Sequence, residues 1–243
     1  MKIVAATIFA LQIPFVEAFT HSIRHRAYSD AIVVRVVAAD GTVGYGEAIA
    51  RPYVTGETVE SCLQFMANTL WPAVQQQDYP PPPADASTGV DWLNQVSLTL
   101  PSDPAGSGLP NPSVVAWHAA RTGWELALVD CLLQSAGCSL GEILPPQRAT
   151  VTYSGVITAS GVEQAVKVAK RFKQFGLSHL KVKVTGRDDR ARVAAIRDAV
   201  GAEPLIRLDG NGAYTVESAI AACDTLAEFA IASAEQLIPR GNP

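Results

Sequence analysis

The sequence predicts an α/β chain in two parts: a mixed strand–helix domain over residues 1–145, then a run of βα units over 146–243 that forms a parallel sheet. Three observations carry this. From residue 151, apolar strand-like pieces alternate with stretches of about 10 to 15 residues at helical spacing, the signature of right-handed βαβ units. Ahead of them, residues 31–48 read as an antiparallel hairpin followed by helices. Between the two, residues 78–112 are too rich in Pro, Gly, Ser and Asp to bury much.

Residues 1–13 supply a first strand. In AIVVRVVAADGTVGYGEA, a β-branched run, an Asp40-Gly41 turn and a second short run follow one another, which is the local chemistry of a hairpin. Residues 56–75 place Val59, Cys62, Leu63, Met66, Leu70 and Trp71 on one helical face, with Thr58 as N-cap. The segment 78–112 reads as a long loop or insertion around a short apolar piece at 92–100. A long core helix over 113–136 carries Val114, Trp117, Ala120, Trp124, Leu128, Cys131 and Leu132 on one side and stops at Gly137. Then come strand VTYSGVI, helix 160–175, strand HLKVKV, helix 188–200, strand PLIRLDG, helix 215–229 and strand IASAEQLIP. That spacing suits a barrel or an open doubly wound sheet. A dinucleotide fold is excluded, because Gly44-Tyr45-Gly46 lies in the hairpin and no phosphate-cradling glycine loop follows a later strand.

Of 243 residues, 48% are hydrophobic and 17% charged, so a core can form without metal or disulfide staples. A net charge of -4 with no block of like charge argues against a nucleic-acid surface or a polybasic membrane patch. Cys62, Cys131, Cys138 and Cys223 are too widely spaced for a zinc site or disulfide framework and read as reduced, largely buried thiols. With no long apolar span and no cleavable leader pattern, a cytoplasmic protein is expected.

The chemistry-bearing residues fall at strand ends. Lys181 and Lys183, two apart on a strand, project from one face while Val182 and Val184 project from the other. Burial and a like charge both disfavour protonation, so such a pair suits a general base; taken alone, a KxK pair is more often two strand-end lysines that snorkel to solvent. The next strand ends in Leu208-Asp209-Gly210-Asn211-Gly212, and the one after holds Glu235. Carboxylates at the ends of adjacent parallel strands suit a hard cation such as Mg²⁺, and strand C-termini are where parallel α/β enzymes keep their sites.

In SDAIVVRVVAADGTVGYGEA, PYVTGET, ELALVDCLLQSAGCSLGEIL, KVKV, LDGNGAY and AEQ, the chain resembles the enolase superfamily, in its muconate-lactonizing-enzyme-like group of dipeptide epimerases, o-succinylbenzoate synthases and muconate cycloisomerases. The resemblance implies an enolase-type α+β capping domain followed by an incomplete (β/α)-barrel of about four strands. It also implies Mg²⁺ holding a substrate carboxylate while a lysine removes the α-proton to give an enediolate, a Lys-plus-Mg²⁺ pattern general to the superfamily. By motif position Lys183 is then the base and Lys181 its neighbouring cation; Asp209 and Glu235 are metal ligands, with Asn211 just outside the metal's own ligands. Segments 15–30 and 50–56 match mobile capping loops, making His21, Arg24, Arg51 and Tyr53 candidate specificity contacts. The expected substrate is a small carboxylate, a dipeptide or other N-acyl-type amino acid ahead of a muconate.

A closed eight-stranded barrel takes about 250 residues, so the stretch after 146 reads as the N-terminal half of a modified barrel and the chain as the N-terminal part of a longer enzyme. The family's third carboxylate ligand and second acid/base lysine are then expected beyond residue 243. The 243 residues alone are expected to be inactive, and to form a homo-oligomer or associate with a complementary half. Two other readings stay open: a truncated non-catalytic module, and a metal-independent Schiff-base lysine aldolase.

Overall fold

A computed structural model describes residues 1–21, 24–52, 54–101, 117–158 and 161–239, with only the backbone considered at 17–21 and 24–26. It divides into two compact units, Met1–Pro14 with Tyr28–Ala149, and Phe15–Ala27 with Thr150–Pro243.

A three-stranded sheet runs in the order β1 (Ile3–His21), β2 (Arg24–Ala38), β3 (Val43–Ala48); the first unit holds β1 up to Pro14, β2 from Tyr28 and all of β3. β2 and β3 pair antiparallel around the Asp40-Gly41 turn, where Gly41 takes φ +88°, a conformation that costs glycine nothing. The strands β1 and β2 reach into 15–30, which the sequence reading assigned to loops; apolar and β-branched residues in IPFVEAFT continue the strand character of β1. Helix α1 (Val59–Phe65) starts at Thr58, whose side chain and that of Ser61 cap each other's backbone N–H groups. One wide turn at Met66–Leu70 leads into α2 (Trp71–Gln75).

Part of the expected loop over 78–112 is helical: α3 spans Gly89–Leu98. Trp92, Val96 and Leu100 recur every four residues and are buried, enough of an apolar stripe to hold a short helix among prolines and glycines. The long helix α4 (His118–Ala136) ends at Gly137, φ +66°, as its sequence requires. Trp117, Ala120, Trp124, Leu128, Cys131 and Leu132 are buried on it; Val114 lies outside the described residues. A short helix α5 (Leu140–Ile143) follows.

Helix α4 lies directly on β3, and the glycines of the Gly-Tyr-Gly run are what permit it. A Cβ at Gly46 would strike the carbonyl oxygen of Gly123 and the amide nitrogen of Ala127, both backbone atoms that cannot turn aside. Gly46→Ala should therefore destabilise the protein by about 1–3 kcal/mol, the usual cost of overpacking. Urea denaturation checks it, and an unchanged midpoint would mean that the helix lifts off the strand freely.

The second unit is a parallel sheet in the order β4 (Ser154–Ile157), β5 (His179–Lys183), β6 (Leu205–Asp209), β7 (Ile231–Glu235), connected by α6 (Val162–Gln174), α7 (Asp189–Val200) and α8 (Val216–Leu226). This is the expected partial barrel of four strands. Leu180, Val182, Ile206 and Leu208 point one way into a core shared with Ala165, Ala169, Val193 and Ile196 of the helices. At the N-terminal ends of β6 and β7, Arg197 donates to the carbonyls of Gly201, Ala202, Pro204, Phe229 and Ala230 at 2.8–3.3 Å, tying two turns together without a carboxylate. All four cysteines are free thiols; Cys62 and Cys131 are buried, but Cys223 on α8 is exposed, contrary to the reading of largely buried thiols, because it faces away from the sheet.

Candidate active site

The alternation of β5 sends Leu180 and Val182 into the helix-side core and leaves Lys181 and Lys183 on the opposite face. Register then brings partners to them. Lys183 stands opposite Asp209, and Asp209 opposite Glu235, so one row crosses three strands at their C-terminal ends. The last pairing depends on an irregularity: Ile206 pairs with Ile231 but Arg207 with Ser233, so one extra residue in β7 shifts the register. Without that bulge Ala234 would face Asp209, and Glu235 would miss the row.

Asp209 is 2% exposed and serves two ammonium groups. Lys183 Nζ lies 2.6 Å from Asp209 Oδ2 and 2.5 Å from Asn211 Oδ1. Lys181 Nζ lies 2.8 Å from the same Asp209 oxygen and 2.9 Å from Glu235 Oε2. The expectation that burial and a like charge disfavour protonation of the pair is thus corrected for Lys181: a carboxylate sits between the two lysines. Burial acts to lower the pKa of Lys181, but its hydrogen bonds to Asp209 and Glu235, with their charges, outweigh it and hold the ammonium above its ordinary value. For Asp209 burial acts upward, and the hydrogen bonds and charges of the two lysines prevail, bringing the carboxyl below its usual range.

Asn211 adopts φ +47°, a left-handed conformation that asparagine tolerates, and its amide N–H donates to Asp209 Oδ1 at 3.2 Å. The turn thereby presents the side-chain oxygen back toward Lys183. Lys181, Lys183, Asp209, Asn211 and Glu235 are therefore brought together in one cluster.

The remaining candidates are elsewhere. Arg51 is half-buried, and its guanidinium donates to the carbonyls of Asp30 and Ala50 at 3.4 and 3.1 Å and to Ser29 Oγ at 3.4 Å, which anchors the start of the 50–56 segment to β2. The side chains of His21 and Arg24 and the whole of Tyr53 lie outside the described residues.

Four residues to which sequence reasoning assigned no role hold structure together, three in the second unit and one in the first. Asp189, Arg192 and Tyr214 form a buried polar cluster behind the ends of β5 and β6. Glu57, fully buried, accepts from the backbone N–H groups of Ala119 and Ala120 at 2.8 and 2.9 Å and caps α4, whose own N-terminus has no side-chain cap. The only signal available for Glu57 was its place in PYVTGET. No helix among the described residues is long and apolar enough to cross a membrane.

Comparison with known proteins agrees with this geometry. A family profile described as "Enolase C-terminal domain-like" matches residues 163–243. The chain is 28% identical over 242 residues to the hydrophobic dipeptide epimerase of Enterococcus faecalis, covering 99% of this chain and 62% of that protein. It is 30% identical over 220 residues to the aromatic dipeptide epimerase of Herpetosiphon aurantiacus, covering 88% and 54%. Among solved structures, the dipeptide epimerase from Enterococcus faecalis V583 complexed with Mg and the dipeptide L-Leu-L-Tyr matches with a TM-score of 0.77 at 26% identity, over 98% of this chain and 62% of that one. The chain thus spans between half and two thirds of the length of these relatives. Together with a capping-type α+β unit and a four-stranded partial barrel, these matches support an enolase-superfamily member of the muconate-lactonizing-enzyme-like group.

Proposed function

We propose that the Lys183–Asp209–Glu235 row is a centre for abstracting the α-proton of a small carboxylate, in an epimerase or racemase reaction with a dipeptide as the favoured substrate. The observation that carries this is the row itself, a lysine and two carboxylates in consecutive register at strand C-termini, with Lys181 bridging the carboxylates. The epimerases among the relatives support the reaction class.

Lys183 is the base in this reading. Its Nζ is held by Asp209 and Asn211 in a fixed direction, and on losing its proton it has a lone pair to take the one from the α-carbon. Lys181 contributes positive charge beside the substrate carboxylate.

Mg²⁺ fits the donors in kind. Asp209 and Glu235 offer hard anionic oxygens from adjacent strands, and both already attract a cation, the Lys181 ammonium. No three His, Cys, Asp or Glu gather among the described residues; Mg²⁺ characteristically keeps several waters beside one or two carboxylates. When bound, the ion supplies positive charge where the substrate carboxylate gains negative charge as the α-proton leaves.

The test is α-proton exchange in D₂O, followed by proton NMR on a panel of dipeptides. It is run on the chain alone and mixed with a separately produced polypeptide carrying the later barrel strands of a dipeptide epimerase. Exchange in either mixture, abolished by EDTA and restored by Mg²⁺, is expected. Absence of exchange in both would sink the proposal.

A further inference from the structure

Asp189, Arg192 and Tyr214 are 7%, 5% and 6% exposed, and none of them reaches Lys183 Nζ. What they hold is the backbone on either side of it. Asp189, at the first turn of α7, accepts from the amide of Thr185 at 3.1 Å and from that of Gly186 at 2.6 Å, the second and third residues after Lys183. Arg192 pairs with Asp189 one turn along the helix and, through the same Nη2, reaches the carbonyl oxygen of Lys183 itself at 3.3 Å. The third partner is on a different loop. Tyr214 OH donates to Asp189 Oδ2, and Tyr214 sits three residues beyond Asn211, whose side-chain oxygen receives the Lys183 ammonium. Tyr214 is held in turn by its amide N–H on the Leu237 carbonyl at 2.9 Å.

We propose that Asp189, Arg192 and Tyr214 are positioning residues that clamp the loop after β5 to the loop after β6 and so keep Lys183 Nζ against Asn211 and Asp209. This rests on the reading of Lys183 as the base, but the clamp itself is a statement about geometry. Burial and the hydrogen bond and charge of Asp189 push the Tyr214 phenol above its ordinary pKa, so it stays a donor.

The two lysines respond differently if the clamp opens. Lys181 is held by Asp209 and Glu235, both within the strand ladder of β6 and β7. One of Lys183's two partners, Asn211, is on the loop after β6, which Tyr214 and Asp189 tie to the loop after β5; the bond from the Val184 amide to the Asp209 carbonyl joins the strand ends themselves. Loss of the clamp should free Lys183 and leave Lys181 in place.

The experiment is trace acetylation of the full chain with an N-hydroxysuccinimide ester, with each lysine read by peptide mass spectrometry in wild type, Asp189→Asn and Tyr214→Phe. Tyr214→Phe removes a single hydroxyl and keeps the ring, so it is the variant least disturbed in folding. The expected result is a several-fold faster acetylation of Lys183 in both variants, with Lys181, Lys167 and Lys170 unchanged. An unchanged Lys183 rate, or a rise shared by Lys181 and the α6 lysines, overturns the clamp. Failure of the base reading is seen separately, as α-proton exchange that survives Lys183→Ala, and it leaves the acetylation result as it stands.

Discussion

Lys183→Ala should lower α-proton exchange by about 10²- to 10⁴-fold, the range for loss of a positioned general base. The same change at Lys181 should cost less. Lys181 spans Asp209 and Glu235 and, in the proposed reaction, acts by charge, whereas Lys183 is the lysine directed by both Asp209 and Asn211. The measurement is deuterium incorporation at the α-carbon under the conditions of the D₂O assay. Equal losses in the two variants would remove the distinction between base and neighbouring cation. A conservative companion is Lys183→Arg, which keeps the charge opposite Asp209 but cannot give up its proton, and it should be as inactive as the alanine variant.

The largest stability effect is expected at Glu57. Its carboxylate is the cap of α4, supplied from another part of the chain to a helix that buries Trp124, Leu128 and Leu132. Glu57→Ala strands two buried N–H groups at the positive end of the helix dipole and should cost about 3 kcal/mol. In a chain of this length that lowers the melting temperature by about 6–12 °C. Glu57→Gln keeps one acceptor oxygen and loses the charge, so it should fall between. Thermal unfolding followed by circular dichroism reads both, and a Glu57→Ala protein that melts with wild type would show that water takes over the cap. A buried thiol records the same environment: burial, and then the charge of Glu57, push the pKa of Cys62 up, and its Sγ lies 3.4 Å from Glu57 Oε1.

Where pattern and structure agree, the pattern was periodic. The alternation in HLKVKV put both lysines on one face because strand side chains alternate whatever the tertiary context. Gly137 and Thr58 ended and began helices for local backbone reasons. Where they part, the missing information was non-local. The helix in 78–112 was masked by prolines and glycines on both sides of a three-residue stripe, Trp92, Val96 and Leu100, whose burial depends on what packs against it. Gly44-Tyr45-Gly46 could be excluded as a phosphate loop, but its purpose, close approach of α4 to β3, became visible only with the helix in place. The lysine pair was read as two buried like charges, since nothing in the order of residues said that Asp209 would come between them.

The amino-acid sequence alone determined the class of fold and which side chains stand at the ends of β5, β6 and β7, because strand alternation and βα spacing are local. The tertiary structure decided which of those side chains meet. Parallel pairing set Lys183 against Asp209, one extra residue in β7 set Glu235 beside it, and the left-handed turn at Asn211 aimed a second acceptor at the lysine. The first two depend on register between strands more than 20 residues apart, and a one-residue slip of a strand would move its groups to the other face of the sheet.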